Sequence, residues 1–560
     1  MGTGILGIAA SGLNAAQAAI RVTQQNIANV GTDGYRRQEL VQSARQPQFS
    51  GYGYIGNGVS VDAVRHQYSR FLDSEVLHSE SQYARYEAAS ARSALIDKLL
   101  GDDATGLNSV LSGFYSALQE VANDPASSAT RQNLLSAGEN LAGRFNLLAG
   151  QLREQRTAAN NEAQHLATRI NVLAGQIAQA NVTITQNRSA SGQAANDLVD
   201  ARDQLVVELS RLIDVTRQDL PDGSVNVFIG GGQSLVLGQD VRRLNLVANA
   251  NDPALLDPAI NMGFERYGSL IADPAARVVT SGASSLSGRI SGGELGGLLE
   301  FRDATLMPAL RDLDRMALAL ASAVNTVHRG GLDYALNPGV DFFVNPVVPQ
   351  GATAGALHLT VTDDSLLDPV GYTISLAGGV YTVTELSTGT ATNHASLAAV
   401  NAAGFGFSLT AGVPAPANGE SWRIGDSART LAMAIGNTSQ IAAAAAAATG
   451  PGDNGNALAL AALQSTALLN FGGVAFSDTL SAAYNKIVNR TASQASQHDL
   501  NRDAFETLRQ SAVSAQQSLV GVNLDEEAVN LVRYQQAYQA AARTMQIAAS
   551  LFDELLNVVR

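Results

Sequence analysis

The 560-residue chain has no cysteine. That excludes disulfides, thiolate metal sites and cysteine nucleophiles. Positive charge is also scarce: 36 Lys and Arg stand against 50 Asp and Glu, a formal net charge of −14. No basic run offsets this, so a nucleic-acid partner is not expected. Aromatic residues make up 5%, and the only tryptophan is Trp422. Long apolar runs are missing too. The longest alanine run, Ala442 to Ala448, is far too short to span a bilayer, and no membrane partner is expected. Residues 1–32 carry one charged side chain, Arg21, and Gly4, Gly7, Ser11, Gly12 and Asn14 break up their apolar residues. They lack the basic start and continuous apolar core of a cleavable signal peptide. If this chain is exported, the general secretory route does not carry it.

The marks of an enzyme are equally thin. His66, His78, His165, His328, His358, His394 and His498 do not place two imidazoles on adjacent helical turns or form H-E-x-x-H, and no cofactor or metal is expected. Gly230-Gly231-Gly232 is followed by strand-like residues and no Gly-Lys-Ser/Thr, so it reads as a hairpin turn rather than a phosphate loop. Asp102-Asp103 and Asp363-Asp364 read as solvated loop acids. Asn181, Asn187, Asn437 and Asn489 head N-x-Ser/Thr sequences, which mean little without a secretory signal.

What the chain does have is heptad periodicity at both ends. Leu524, Leu531, Tyr538, Met545, Phe552 and Val559 recur every seven residues, with Ala528, Gln535, Ala542, Ala549 and Leu556 four residues further along. This is the pattern of a helix that packs along another helix. Asn523 or Asp525 can cap it, and Asp525, Glu526 and Glu527 suit its positive end. Near the start, Leu6, Leu13, Ile20 and Ile27 form a second seam, each followed three residues on by Ala9, Ala16, Thr23 and Val30. Tyr534 and Tyr538 are first of all packing residues. The two seams are expected to meet each other and then those of neighbouring subunits. A lone helix needs a packed face for stability, so stability that appears on docking suits an assembly protein.

Between the ends the pattern is nested. Residues 1–50 form the first half of a terminal domain and 521–560 the second. A helical body covers 51–335, with helices from about Gln67, at Leu107–Val121, at Thr130–Asn187, around Leu198–Leu212 and at Glu294–His328, and a possible kink at Pro308. Within the long helix, Leu166, Leu173, Ala180 and Ile170, Ile177, Ile184 mark a bundle core. A β segment occupies about 215–300, including Val225–Ile229 and Ser234–Leu237. Residues 336–427, in short Gly-, Thr-, Val- and Pro-rich runs, form an inserted outer β-domain, a small sandwich. Residues 428–520 return to helix, with a loop at Gly450–Gly455. The fold class is mainly α with β insertions: coiled-coil-like terminal helices, a discontinuous helical body and an outer β-domain.

Asn26-Ile-Ala-Asn29, Thr32 and Gly34-Tyr35 with the arginines after them resemble the amino-terminal signature of the bacterial flagellar rod, hook and hook-associated proteins. Asn523-Leu-Asp-Glu-Glu and the Gln-Ala-Tyr538-Gln-Ala that follows resemble the carboxy-terminal signature of the hook-associated members. Gly56–Val59, Phe114–Leu135 and Gly296–Arg302 carry the same likeness, which spans most of 1–330 and 430–560. Asp33 stands where many relatives have Pro. The resemblance implies a non-enzymatic junction piece between hook and filament of the extracellular flagellum. It further implies passage through the flagellar type III export apparatus and an export chaperone on the carboxy-terminal helix. The implied neighbours are copies of itself, the hook protein and a second junction protein leading to the filament. The rival readings are a hook or distal-rod subunit, a secreted enzyme on an axial scaffold, and a cytoplasmic coiled-coil scaffold.

Overall fold

A computed structural model describes residues 2–49, 53–102, 106–191, 195–249, 252–273, 284–350, 356–368, 370–470 and 477–559. The first helix, α1 (Gly2–Ala28), leads into a ribbon of two antiparallel strands, Gln38–Ala44 and Val59–His66, with a bulge at Val41/Gln42. This ribbon straddles residue 50, so the chain on either side of that position packs as one piece against α1. By length and composition Gly4–Ala28, 25 residues with a most apolar 18-residue stretch of mean hydropathy 1.3, could cross a membrane, a property the alanine-run argument overlooked. Here it lies against protein.

The body is a helical bundle. Helices α2 (Arg70–Gly101), α3 (Asn108–Asn123), α4 (Ser128–Ser191) and α5 (Asn196–Leu212) follow in order. At about 1.5 Å per residue, the 64 residues of α4 run for about 96 Å. Leu166, Ile170, Leu173, Ile177 and Ile184 of α4 are buried at helical spacing, as the periodicity requires. Two polar residues on this helix dock the β segment. Asn181 donates to Val225 O at 2.8 Å and accepts from Val225 N at 3.0 Å, and Asn171 makes the same reciprocal pair with Leu244. The buried Asn181 therefore cannot carry a glycan.

An antiparallel sheet orders its strands 265–266, 240–241, 233–237, 225–229 and 215–219, and a second one orders 284–285, 256–260 and 244–248. Gly230, Gly231 and Gly232 all have positive φ in the turn between 225–229 and 233–237, so the run is a hairpin loop. A short helix, α6 (Tyr267–Ala272), closes this region.

Helix α7 (Gly293–Glu300) passes through a π-helical turn, Phe301–Leu306, into α8 (Met307–Arg329). The turn takes the place of the expected kink at Pro308. Proline has no N–H to give the preceding turn, and the Ala304 carbonyl instead accepts from Gln494 at 2.8 Å.

Residues 336–346 pack with the body, although the sequence analysis assigned them to the insertion. Phe342 and Phe343 lie in the main core against Phe114, and Asn325 accepts from both of their backbone N–H groups. A second core gathers Val347 to Ile424. A five-stranded sheet, ordered 347–349, 421–424, 372–377, 380–385 and 391–394, faces the pair 357–361/407–411, with α9 (Leu397–Ala402) at one side. Trp422, Tyr372 and Phe407 fill this core, and Leu318 of α8 enters it from the body. Short α10 (Ser427–Thr430) follows.

The expected return to helix after 428 is a correction. Residues 431–454 are irregular apart from one 3-10 turn, Thr438–Gln440. Side chains satisfy the backbone there: Arg131 donates to Thr438 O and Ile441 O, His328 Nε2 accepts from Ala442 N, and Asn456 donates to Ala442 O. High alanine content favours helix, but these long-range bonds hold the start of the run out of one. Helix resumes at α11 (Gly455–Ala462) and α12 (Leu480–Val520), and the latter lies antiparallel to α2. The chain ends in α13 (Leu524–Val559).

Candidate assembly interface

The two terminal seams meet. Helices α1 and α13 pack antiparallel along their length: Asn26 faces Glu527 at one end, and Gly12 lies 3.7 Å (from its would-be Cβ) from the Ala541 Cβ further along. On α1 the buried residues are Ala9, Ser11, Ala15, Ala16, Ala19, Thr23 and Asn26, whereas Leu6, Leu13, Ile20 and Ile27 are half-buried along their edge and Val30 is exposed. Small residues let the two backbones approach.

On α13 the inward face reads Glu527, Leu531, Tyr534, Tyr538, Ala541, Met545 and Ala548. Leu531, Tyr538 and Met545 thus fall on the seam. The second column runs three residues after the first, not four. Ala528, Gln535 and Ala549 face outward, as does Leu524 at the mouth of the helix, whereas Ala542 is half-buried like Ala541. The side chains of Phe552, Leu556 and Val559 lie outside the described residues.

The motif residues close the end of this pair nearest the body. Asn29 accepts from Thr32 at 3.3 Å, and Tyr35 N donates to Thr32 O, which forms the turn that ends α1. Gly34 has φ +76°, and a Cβ there would collide with Gln204 of α5, so both backbone and space demand glycine. Tyr35 donates to Asn26 Oδ1 at 2.9 Å, and Asn26 Nδ2 donates to Gln38 O and to Glu527 Oε2. Arg37 completes the cluster, with Nε on Glu527 at 2.8 Å and Nη1 on Glu526 at 2.8 Å. Asn26 is 1% exposed and Glu527 2%. A buried carboxylate needs such partners, and Glu527 has a cation and an amide. Burial, with Asp197, Asp200 and Glu527 nearby, pushes the Tyr35 hydroxyl above its ordinary range, so it stays a donor. Asn523 caps α13 by accepting from Asp525 N at 2.9 Å, while the Asp525 carboxylate is exposed in the first turn.

A second cluster ties this end to the body and was not foreseen as a network. Arg36 is buried between Asp203 of α5, at 2.6 Å, and Asp73 of α2, at 3.1 Å. Arg202 and Arg217 also pair with Asp203, and Gln516 of α12 donates to Asp73. Burial alone would raise the Asp203 carboxyl, but Arg217, Arg202 and Arg36 outweigh it and hold the group at about 2. Arg36 stands in the recognisable motif, but nothing in sequence spacing connects it to carboxylates at 73 and 203. Elsewhere Ser93, His498 and Glu300 line up at 3.0 and 3.6 Å like a nucleophile set. Ser93 is wholly buried in mid-helix, so the group is a polar clasp between α2, α12 and α7. Among the described residues there is no cluster of three or more His, Asp or Glu suited to a metal ion.

These geometries can be set beside known proteins. The family described as flagellar hook-associated protein FlgK helical domain matches residues 93–343, and the flagellar basal body rod FlgEFG protein C-terminal family matches 515–558. Hook-associated protein 1 of Escherichia coli strain K12 is 31% identical over 559 residues, 98% of each chain. The chain belongs to the flagellar hook-associated protein 1 family. The Salmonella typhimurium relative of the same name is 31% identical over 98% of this chain and 99% of its own. The one from Bacillus subtilis is 25% identical over 97% and 96%. A solved flagellar hook junction protein from Burkholderia pseudomallei shares the fold, with TM-score 0.61 and 23% identity over 80% of this chain and all of that one. As a member of this family, the chain is a structural component of the extracellular flagellum at the hook–filament junction, and it assembles with other axial proteins. The match to one family across the whole chain displaces the hook and distal-rod reading.

Proposed function

We propose that the α1/α13 pair is the element through which copies of this chain assemble into a ring or tube. In this reading the hook protein lies on one side and a second junction protein on the other. The observation that carries it is the outward face of the pair. Val529 is 68% exposed and Ile547 60%, and Val532 and Leu551 accompany them on α13. Apolar residues recurring along a paired helix with nothing over them are typical of an interaction surface. The pair joins the body through the turn after α1, the two-stranded ribbon beside it and the Gly521–Asn523 link, which suits a subunit that threads an export channel and then locks in place. The flagellar type III apparatus is the proposed route, with a chaperone holding α13 beforehand. The work is mechanical rather than catalytic, in keeping with structural relatives.

A deletion strain should keep its hooks, release filament subunits into the medium and build no filaments. Complementation with Val532→Asp should fail although the protein is soluble and folded, because Val532 faces away from α1. Normal filaments and swimming in the deletion strain, or in the strain carrying Val532→Asp, would overturn the proposal.

A further inference from the structure

We propose that a groove between α2 and the strand Val215–Asp219 receives the extended arm around Arg45 of a second copy of this chain. Strand addition would then link neighbouring subunits as well as the terminal helices. The inference rests on the assembly reading above.

The strand is the outer member of its sheet, with no strand beyond it among the described residues. An edge strand presents alternate N–H and C=O groups that another chain can pair with. Across from it, residues 74–82 of α2 form the opposite wall of a cleft of about 730 Å³. Five residues of strand span roughly 17 Å, room for a short extended segment.

Two further observations indicate that the groove is incomplete in the single chain. Ser81 Oγ and Asp214 Oδ1, both lining it, are buried and have no hydrogen-bond partner among the described residues, and Ser81 is 3% exposed. Unmet buried polar atoms are uncommon because each costs on the order of 1–3 kcal/mol. Of the acids that line it, Asp73 pairs with Arg36 and Asp219 with Arg70 and Arg217, which leaves Glu75 and Asp214 without a salt bridge among the described residues.

The arm has the complementary character. In residues 45–49 and 53–58 the only charged side chain is Arg45. Gln48–Phe49 pairs with Tyr54–Ile55 in a small ribbon whose side chains face solvent, with Phe49 64% and Tyr54 76% exposed. A ring built by head-to-tail contacts needs two different patches on one chain. A cationic arm with outward apolar residues and an acidic slot with open backbone form such a pair.

The absence of native cysteine makes the test clean. Gln48→Cys and Gln218→Cys, both at exposed positions, would be introduced on separate copies and expressed together in a strain lacking the native chain. Oxidation of the assembled flagella should give a disulfide-linked dimer that neither variant forms alone. Arg45→Glu should lower its yield several-fold, and Glu75→Arg in the partner copy should restore it. If both variants build working junctions and no mixed dimer forms, the arm does not occupy the groove. A cross-link from Gln218→Cys to another axial protein, or a yield indifferent to Arg45→Glu, overturns the proposal as well. If the full-length parent does not attach to hooks, the assembly reading falls, and this inference falls with it.

Discussion

Gly34 and Asp203 show how single residues hold the terminal pair to the body. Gly34 turns the chain with a backbone that other residues adopt at a cost of about 1–2 kcal/mol, and its hydrogen lies against Gln204. Gly34→Ala should therefore lower the melting temperature and increase proteolysis of the amino-terminal helix, as measured by calorimetry and limited digestion. Asp203 is buried among three arginines. Its carboxyl is held at about 2, below the ordinary value of 3.8, so the unfolded chain takes up a proton before the folded one does. Its contribution is thus complete above pH 4 and is lost as pH falls towards 2, a loss of about 2 kcal/mol. Asp203→Asn leaves buried guanidinium groups short of an acceptor and should cost about 3 kcal/mol at neutral pH. The gap between the two proteins should narrow in melts below pH 4. Of these two residues, Gly34 was marked by its motif. Asp203 was not, because its partners are distant in sequence.

At the scale of elements, the antiparallel pairing of α1 with α13 depends on one face of each helix. Leu531 sits on that face, half-buried against α1. Leu531→Asp would place a carboxylate in the seam, at a cost of several kcal/mol. Amide exchange should then speed up together in residues 5–28 and 525–550, while the thermal transition of the body stays where it was. Unchanged protection of α1 would show that the seam does not hold the pair. The seven-residue repeat identified Leu531, Tyr538 and Met545, but not the second column. In this alanine-rich helix, Ala541 and Ala542 are equally apolar, so composition does not choose between them. Both are half-buried, and it is Ala541 that lies against Gly12 of α1, in line with the buried Ala548 one heptad on. The alanine run after Ile441 fails as a helix for a related reason: Arg131, His328 and Asn456 bind its backbone from elsewhere.

For the whole molecule, the second core is separable where its packing ends. Replacing 347–424 with a short Gly/Ser linker, and Leu318 with Gln to avoid an exposed apolar side chain, should lower the melting of the body only modestly, through the lost bonds of Asp364 to Arg315 and Asn470 and of Leu359 and Val361 to Ser322. Replacing 336–427 instead removes Phe342 and Phe343 from the main core and Asp426 from Arg153. That variant should melt far lower or fail to fold. Equal stability of the two in calorimetry would mean that the Phe pair is dispensable. By itself the sequence determined the helical class, the nested order, the heptad seams and the family motif, because each is written in local spacing or in short contiguous signatures. Only the tertiary structure decided that Phe342 and Phe343 belong to the body, that Arg36 meets Asp73 and Asp203, and which column of α13 faces inward. Those outcomes depend on which distant groups fill a given volume or neutralise a given charge, and neither is encoded in the spacing of neighbours along the chain.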